Sequence, residues 1–228
     1  MTIAIITARG GSKRIPRKNI KEFCGIPLIS YSIKAALEAN SISRIIVSTD
    51  DKEIAELALK YGAEVPFIRS EKNSDDYATT VDVVLEVLEQ LECNGEIYEK
   101  CCCIYPTAPF ITAKKIDEAF SILDRNAVDS VIPVSKFSYP IQRALKIEGN
   151  KLSMMWPENI NVRSQDLETA YHDCGQFYWF RTDTIKKKKQ IFTEKTMAYE
   201  IPESEVQDID NMEDWKIAEI KYRSLNEI

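Results

Sequence analysis

The chain has 228 residues, 44% of them hydrophobic and 29% charged, which is enough for one large α/β domain with a small appendage. Its formal net charge of −6 argues against nonspecific nucleic-acid binding, and no apolar stretch approaches the length of a membrane span. Because the sequence enters an apolar run at once, without a charged and then apolar signal segment, we expect a cytoplasmic protein.

The first predicted element is a buried strand at residues 3–7, where apolar and β-branched side chains follow one another. A loop over residues 8–19, which we call the basic loop, comes next. It begins with the pair Gly10 and Gly11, and it carries five cations and no acid: Arg9, Lys13, Arg14, Arg17 and Lys18. Glycines let backbone N–H groups approach a ligand, and cations supply the charge that a polyphosphate needs. We therefore interpret the basic loop as a cradle for a triphosphate.

The alternative for the basic loop is a solvated turn between a strand and a helix, which is the usual role of a lone run of charges. Two observations favour ligand binding. The chain as a whole is acidic, so the basicity is local, and the glycine pair follows the first strand, where open α/β sheets bind ligands. The loop matches neither G-x-G-x-x-G nor G-x-x-x-x-G-K-[ST], which disfavours a dinucleotide-binding domain and a P-loop ATPase.

Strands and helices alternate through the next part of the chain. We expect helices at about residues 27–40, 51–61, 79–91 and 111–125, and buried strands at residues 44–49, 64–69, 101–105 and 129–135. Strict alternation of this kind is typical of a mostly parallel sheet with helices on both faces, which is a three-layer α/β/α fold. We expect a single domain over residues 1–228.

The alternation breaks after residue 136. Residues 143–155 are typical of a hairpin that turns at residues 148–150, and residues 156–173 are polar and irregular. We therefore interpret residues 138–172 as an insertion carried by the main sheet. The chain is completed by strands at residues 175–181 and 196–201 and by a helix at residues 211–225.

A triphosphate site needs a metal ion, and the best candidate ligands are Asp208 and Asp210. One residue separates them, so in an extended chain both side chains point the same way while Ile209 points back into the core. Two carboxylates together with substrate phosphates suit Mg²⁺. The alternative is that Asp210 or Asn211 only caps the closing helix.

The single histidine, His172, leaves two interpretations open. It could act as a general base, because imidazole titrates near neutrality, or it could hold a hydrogen bond in the fold. The sequence forces no catalytic triad. Cations and a metal ion suffice for nucleotidyl transfer, in which catalysis is mostly positioning and charge stabilisation.

The motifs described so far, in their order and spacing, resemble the CMP–nonulosonic acid synthetases, the cytidylyltransferases that activate sialic acids. The resemblance covers nearly the full chain and is carried by residues 8–13, 18–19, 25–28, 48–50, 54–55 and 208–210. Within that group, residues 12–19, 105–110 and 172–178 favour pseudaminic acid as the sugar.

The resemblance implies a Rossmann-like, nucleotidyltransferase-type α/β/α fold and a role for each site residue. Arg9 and Lys18 hold the phosphates of CTP and Asp208 and Asp210 carry Mg²⁺, which makes Arg9, Lys18 and Asp210 the predicted catalytic residues. In the implied reaction, the anomeric hydroxyl of a nine-carbon keto-sugar acid attacks the α-phosphorus of CTP and pyrophosphate leaves. The other predicted CTP contacts are Gly10, Gly11, Ser12 and Asn19 in the basic loop, and Arg69 and Thr79 beside the cytosine and ribose.

The sugar must lie beside the α-phosphate, at the carboxyl ends of the central strands, which indicates Tyr105, Gln176 and Tyr178 as sugar contacts. Sialic-acid members of the family usually have Gln-Pro-Thr where this chain has tyrosine at position 105. The larger, more apolar ring favours a sugar with a methyl terminus. The alternatives are N-acetylneuraminate, legionaminate or 3-deoxy-manno-octulosonate as the sugar, or a nucleotide-binding module without turnover.

The resemblance also identifies residues 138–172 as the small dimerisation element of the family. Four side chains at the tip of this insertion are too apolar to leave in water as one patch: Leu152, Met154, Met155 and Trp156. A symmetric pairing of two copies would bury them. We therefore expect a homodimer with no nucleic-acid or membrane partner.

Overall fold

A computed structural model describes residues 1–227 of the chain. The α-helices are α1 (Leu28–Glu38), α2 (Lys52–Lys60), α3 (Thr80–Cys93), α4 (Ala113–Arg125), α5 (Thr182–Lys188) and α6 (Met212–Asn226). The strands are β1 (Thr2–Thr7), β2 (Glu22–Phe23), β3 (Ile26–Pro27), β4 (Ile45–Ser48), β5 (Lys100–Ile104), β6 (Ser130–Lys136), β7 (Leu145–Glu148), β8 (Lys151–Met154), β9 (Tyr171–Asp173), β10 (Phe177–Arg181) and β11 (Thr196–Glu200).

One large sheet has the strand order β11-β6-β10-β5-β1-β4, and β9 also pairs with β6. β1 is parallel to β4 and β5, and β11 is parallel to β6, whereas β10 lies antiparallel between β5 and β6. The prediction of a mostly parallel sheet is confirmed, with β9 and β10 reversed. The chain path explains the reversal, because the insertion begins at the carboxyl end of β6 and the chain returns from that same edge.

Helices cover both faces of the sheet, as predicted. On β1, Ala4 and Ile6 belong to the apolar cluster that contains α1 and α4, while Ile3 and Ile5 belong to the cluster that contains α3. All four of these side chains are fully buried. This pattern explains the continuous apolar run at the start of the chain, because a strand covered on both faces has no solvent side.

A smaller apolar cluster joins α6 to the turn between β2 and β3. The ring of Phe23 meets the ring of Trp215 edge-on, with 5.4 Å between centroids. Ile209 is fully buried in the same cluster. The closing helix is thereby held against the start of the chain, and the segment just before it is held beside the basic loop.

Two stretches differ from the sequence-based expectation. The strand expected at residues 64–69 is reduced to a single bridge between Glu64 and Ile46. Pro66 supplies the physical reason, because proline has no N–H to continue a ladder with β4. In the stretch expected to be irregular, at 156–173, the structure forms β9, which pairs with the end of β6.

The insertion contains the predicted hairpin, with β7 and β8 paired from Leu145↔Met154 to Glu148↔Lys151. Gly149 takes a positive φ of 61° in its two-residue turn, a conformation that glycine adopts without steric cost. Of the helices in residues 1–227, none combines the length and apolar character needed to cross a membrane.

Candidate active site

The predicted site residues converge on the carboxyl edge of the sheet. β1, β4 and β5 are parallel and therefore end at this edge, and β10 begins there, with Phe177 opposite Ile104. The basic loop follows β1, and Tyr105 follows β5. Such an edge is where open α/β sheets bind ligands.

A cleft of about 490 Å³ lies at this edge, and we call it the basic cleft. The predicted site residues that line it are Arg9, Ser12, Lys18, Asn19, Tyr105 and Asp210. Residues without a predicted site role also line it, namely Thr7, Lys13, Arg14, Asp76, Pro106 and Thr107. The structure thus brings together residues from the start, middle and end of the chain around one positively charged cavity.

The basic loop is held by hydrogen bonds to its own backbone and to the neighbouring strand end. The side-chain amide of Asn19 donates to the carbonyl oxygen of Arg9 at 2.9 Å. The backbone N–H of Gly10 donates to Oδ1 of Asp50 at 2.9 Å. Gly11 has open space around it, with no neighbouring atom within 4 Å of where a Cβ would lie. Asn19 and Gly10 therefore shape the loop, and Gly11 leaves its backbone accessible.

Arg17 anchors the basic loop to α2 instead of facing the basic cleft. Its guanidinium contacts both carboxylate oxygens of Asp51 and also pairs with Glu53. Asp51 is the N-cap of α2 and accepts a hydrogen bond from the N–H of Ile54 at 3.0 Å. The guanidinium of Arg17 lowers the pKa of the Asp51 carboxyl, so the pair stays charged near neutrality.

Lys18 lies between the basic loop and the C-terminal aspartates. Its Nζ donates a hydrogen bond to the carbonyl oxygen of Ile209 at 2.7 Å. Burial lowers the pKa of Lys18, and the carboxylates of Asp210 and Asp208 oppose that effect. An ammonium group that is partly shielded from water exerts a stronger field on nearby phosphates than one on the open surface.

The aspartates have the arrangement expected of alternate residues in an extended segment. Ile209 is buried, while Asp210 lines the basic cleft, where its Oδ2 lies 2.7 Å from Nη1 of Arg14. Asn211, and not Asp210, caps α6 by accepting hydrogen bonds from the N–H groups of residues 213 and 214. Burial and then the charge of Asp210 raise the pKa of Asp208.

Asp208 and Asp210 are the residues of this site that would hold a divalent cation. Within residues 1–227, no group of three or more His, Cys, Asp or Glu side chains is placed to hold a metal ion. Asp208 and Asp210 supply two hard oxygen ligands, and the unfavourable interaction between their charges is one that a cation would relieve. Mg²⁺ characteristically takes one or two carboxylates and completes its shell with water and phosphate.

The predicted nucleoside contacts, Arg69 and Thr79, lie outside the lining of the basic cleft. Arg69 is buried, and its guanidinium donates to Oγ of Ser48 at 3.0 Å and to the carbonyl oxygen of the same residue. Thr79 is the N-cap of α3 and forms a capping box with Asp82. Both side chains therefore have structural partners within the fold.

Of the three predicted sugar contacts, Tyr105 lines the basic cleft. Its hydroxyl lies 3.1 Å from Oγ1 of Thr80, and its ring meets the ring of Tyr178 edge-on at 5.4 Å. The hydroxyl of Tyr178 donates to Oδ2 of Asp173 at 2.6 Å. Tyr178 therefore supports Tyr105 from behind.

Gln176 turns toward the C-terminal segment. Its Nε2 donates to the carbonyl oxygen of Glu205 at 2.7 Å, and its buried Oε1 has no hydrogen-bond partner among the described residues. His172 is on β9, where its Nδ1 lies 3.0 Å from the carbonyl oxygen of Asp173 and its ring is 4.9 Å from that of Phe137. His172 therefore lies outside the lining of the basic cleft.

Asp76 is a cleft residue that sequence reasoning missed. It pairs with Arg9 and with Lys13, although 67 residues separate it from Arg9. The available signal was a pair of adjacent acids, Asp75 and Asp76, in a polar loop before a helix. That signal does not identify the partner cations, because polar loops commonly carry acids.

Comparisons with known proteins identify the family. The cytidylyltransferase family profile matches residues 3–222. A pseudaminic acid cytidylyltransferase from Campylobacter jejuni is 42% identical over 222 residues, covering 97% of this chain and 96% of the relative. A CMP-N,N′-diacetyllegionaminic acid synthase from Legionella pneumophila is 32% identical over 229 residues, covering 99% and 97% respectively.

A solved structure also shares the fold. The chain is similar to a CMP:2-keto-3-deoxy-manno-octonic acid synthetase complexed with CTP, with a TM-score of 0.72 and coverage of 100% of this chain and 99% of the other. The two sequences are 15% identical, so this likeness concerns the fold alone.

Proposed function

This chain belongs to the cytidylyltransferase family, and we propose that it transfers CMP from CTP to the anomeric hydroxyl of a nonulosonic acid, with pseudaminic acid as the sugar. It is a CTP-dependent nucleotidyltransferase. The observation that carries the proposal is the basic cleft itself, in which Arg9, Lys13 and Lys18 meet the metal-binding candidate Asp210. A site for a nucleoside triphosphate needs cations that bind the phosphates and carboxylate oxygens that bind the accompanying metal ion.

The reaction places its main demand on electrostatics. As the sugar hydroxyl attacks the α-phosphorus, the bond to the β-phosphate breaks and negative charge grows on the departing pyrophosphate. Fixed cations stabilise that charge without reorganising, which is the largest contribution that such a site makes. We assign this role to Lys18, because its hydrogen bond to Ile209 holds the ammonium in place. Arg9 and the open backbone around Gly11 would bind the other phosphates.

We assign a Mg²⁺ site to Asp208 and Asp210. When bound, the ion would neutralise charge on the phosphates of CTP. The protein side of this arrangement includes Arg14, which now pairs with Asp210 and would release that carboxylate to the cation. Partial desolvation and the charge of Asp210 raise the pKa of Asp208, and a bound divalent ion would offset both effects by favouring the ionised carboxylates.

The choice of pseudaminic acid depends on Tyr105 and on the named relatives. The ring of Tyr105 offers the basic cleft an apolar wall, held from behind by Tyr178. Such a wall suits a methyl terminus better than a hydroxylated tail. Two relatives named as pseudaminic acid cytidylyltransferases each share 42% identity with this chain, against 32% for the relative named for the legionaminic acid reaction.

We also propose one catalytic domain with the insertion at residues 138–172 as its dimerisation element. Apolar side chains stand exposed on the insertion hairpin, including Ile147 at 73% and Leu152 at 63% exposure. A second copy would remove them from water. The cysteines are free thiols, three of them buried side by side in β5, which suits the reducing cytoplasm where we expect the enzyme to act.

The test is CMP-sugar formation from CTP with each of four acids at equal, subsaturating concentration: pseudaminic, legionaminic and N-acetylneuraminic acids and 3-deoxy-manno-octulosonate. We expect the highest kcat/KM for pseudaminic acid, by roughly 10–200-fold, because apolar shape alone discriminates weakly. Tyr105→Gln should narrow that ratio, while Tyr105→Phe should keep it. Equal or higher kcat/KM for N-acetylneuraminate would refute the sugar assignment, and no pyrophosphate release with any acid would refute the reaction.

A further inference from the structure

The carboxylate of Asp76 forms ion pairs with two cations of the basic cleft. Oδ1 of Asp76 lies 2.8 Å from Nη1 of Arg9, and Oδ2 of the same residue pairs with Nζ of Lys13. Nη1 of Arg9 also donates to the backbone carbonyl of Asp75 at 3.2 Å. All three charged side chains line the basic cleft. One residue thus neutralises two of the cations that line the basic cleft, and one of them, Arg9, is assigned to phosphate in the proposed function.

Asp76 lies on a loop that is fixed at both ends. At its start, Glu86 of α3 accepts hydrogen bonds from the N–H of Ser70 at 2.9 Å and from Nδ2 of Asn73 at 2.6 Å. At its end, Thr79 caps α3. Between these anchors Tyr77 is 91% exposed. The middle of the loop therefore lies over the basic cleft with little packing of its own.

The contacts of Asp76 are of the kind that a stronger ligand displaces. The side chains of Arg9, Lys13 and Asp76 are 41%, 77% and 47% exposed in these pairs, and ion pairs that water reaches are weak. Lys13 and then Arg9 lower the pKa of the Asp76 carboxyl, so it is anionic at neutral pH. A polyphosphate offers the same cations several oxygens and a larger charge.

We propose that Asp76 is a built-in competitor for the polyphosphate. It pairs with Arg9 and Lys13 before CTP binds, is displaced by the phosphates of CTP, and returns to the two cations when pyrophosphate leaves. Asp76 thereby lowers the affinity for CTP and for pyrophosphate together and speeds release of the product. This inference rests on the proposed function, because it assumes that the basic cleft binds the phosphates.

Arg17, another cation of the basic loop, has carboxylate partners of a different kind from those of Arg9 and Lys13. Arg17 is also neutralised by carboxylates, but its partner Asp51 has a side chain only 21% exposed and caps a helix. That pair is therefore part of the fold. Asp76 instead comes from an exposed loop and meets cations that face the cavity. Its removal frees positive charge at the site of binding.

The experiment is calorimetric titration of inorganic pyrophosphate into the wild-type enzyme and into Asp76→Asn, Asp76→Glu and Glu71→Gln. Glu71→Gln is the matched control, because it removes the same charge from an exposed position in the same loop. We expect Asp76→Asn to bind pyrophosphate about 3- to 10-fold more tightly, as loss of two exposed ion pairs implies. Asp76→Glu and Glu71→Gln should stay near the wild-type value.

Steady-state kinetics supply an independent readout. Asp76→Asn should lower the KM for CTP and lower kcat, because tighter binding of pyrophosphate slows its release. If Asp76→Asn binds pyrophosphate no more tightly than the wild type while CMP-sugar still forms, the competitor role is refuted and the proposed function stands. If neither protein binds pyrophosphate although CMP-sugar forms, the competitor role alone is refuted. If no CMP-sugar forms either, the proposed function fails as well.

Discussion

Nζ of Lys18 donates a hydrogen bond to the carbonyl oxygen of Ile209 at 2.7 Å, which joins two segments that are 191 residues apart in the chain. Ile209 is in turn buried in the cluster around Phe23 and Trp215. The position of the Lys18 ammonium is therefore set by the apolar packing of α6. Asp208 and Asp210 flank the acceptor, so the same packing places the proposed metal ligands beside the proposed phosphate ligand.

Lys18→Ala should lower kcat by about 10²-fold, on the scale of losing one preorganised electrostatic group. The reason is that Lys18 acts on charge that develops in the transition state, so the KM for the sugar should change much less. Lys18→Arg keeps the charge but not the compact ammonium that fits beside Ile209, and it should recover only part of the rate. Steady-state kinetics with thermal unfolding as a folding control measure this. A raised sugar KM at unchanged kcat would contradict it.

Asp210→Ala should lower turnover by about 10² or more and should weaken the response to added Mg²⁺. The wild-type enzyme should lose activity with a chelator and recover it when Mg²⁺ is restored, because two carboxylates and the phosphates are proposed to share the ion. Asp183→Asn, an exposed aspartate at the start of α5, is the control. Full activity of Asp210→Ala at ordinary Mg²⁺ concentration would rule out the metal assignment.

The insertion hairpin should form the dimer interface. Ile147 and Leu152 are cross-strand partners in β7 and β8 and are both mostly exposed. The double variant Ile147→Lys/Leu152→Lys should give a monomer by light scattering, since two buried like charges would oppose association. Ile97→Lys, at a position 65% exposed elsewhere, should leave the dimer intact. A wild-type monomer at micromolar concentration would be incompatible with this interface.

Gly10→Ala should destabilise the protein more than Gly11→Ala does. A Cβ on Gly10 would lie 2.7 Å from Oδ2 of Asp51, whereas a Cβ on Gly11 would meet open space. Asp51 cannot withdraw freely, because it caps α2 and pairs with Arg17. We expect a loss of about 1 kcal/mol in the free energy of unfolding, similar to a weakened N-cap. Urea denaturation measures this free energy. Equal losses of stability in the two variants would show that the Asp51 side chain moves away from the added methyl group at no cost.

Much of the fold could be predicted because its signals are local. The apolar run of β1 and the apolar face of α1 each depend on residue order within about a dozen positions, and both lie where they were expected. The hairpin at β7 and β8 was predictable for the same reason, since the turn chemistry of Gly149 acts within four residues. Pro66 was an equally local signal against a strand at residues 64–69.

The composition of the basic loop and the spacing of Asp208 and Asp210 were likewise visible in the sequence. The order of these motifs along the chain also carried the family resemblance. Proteins that share a fold and bind the same ligand hold it with the same residue types in corresponding loops. What the sequence indicated was therefore which residues have the chemistry for phosphate and metal. It did not indicate which of them already have partners.

Tertiary structure decided the partners, because each one depends on the path of a loop between distant elements. In the folded chain, Asp76 pairs with both Arg9 and Lys13. The side-chain amide of Gln176 donates to the carbonyl oxygen of Glu205, and Arg17 pairs with the residue that caps α2. A polar side chain pairs with the hydrogen-bonding or charged groups that the fold brings within reach. Those groups come together only once the sheet and the loops at its edge have formed. Local residue order was enough to predict most of the elements and the chemical groups of the site, whereas the packed fold determined which of those groups face the cleft.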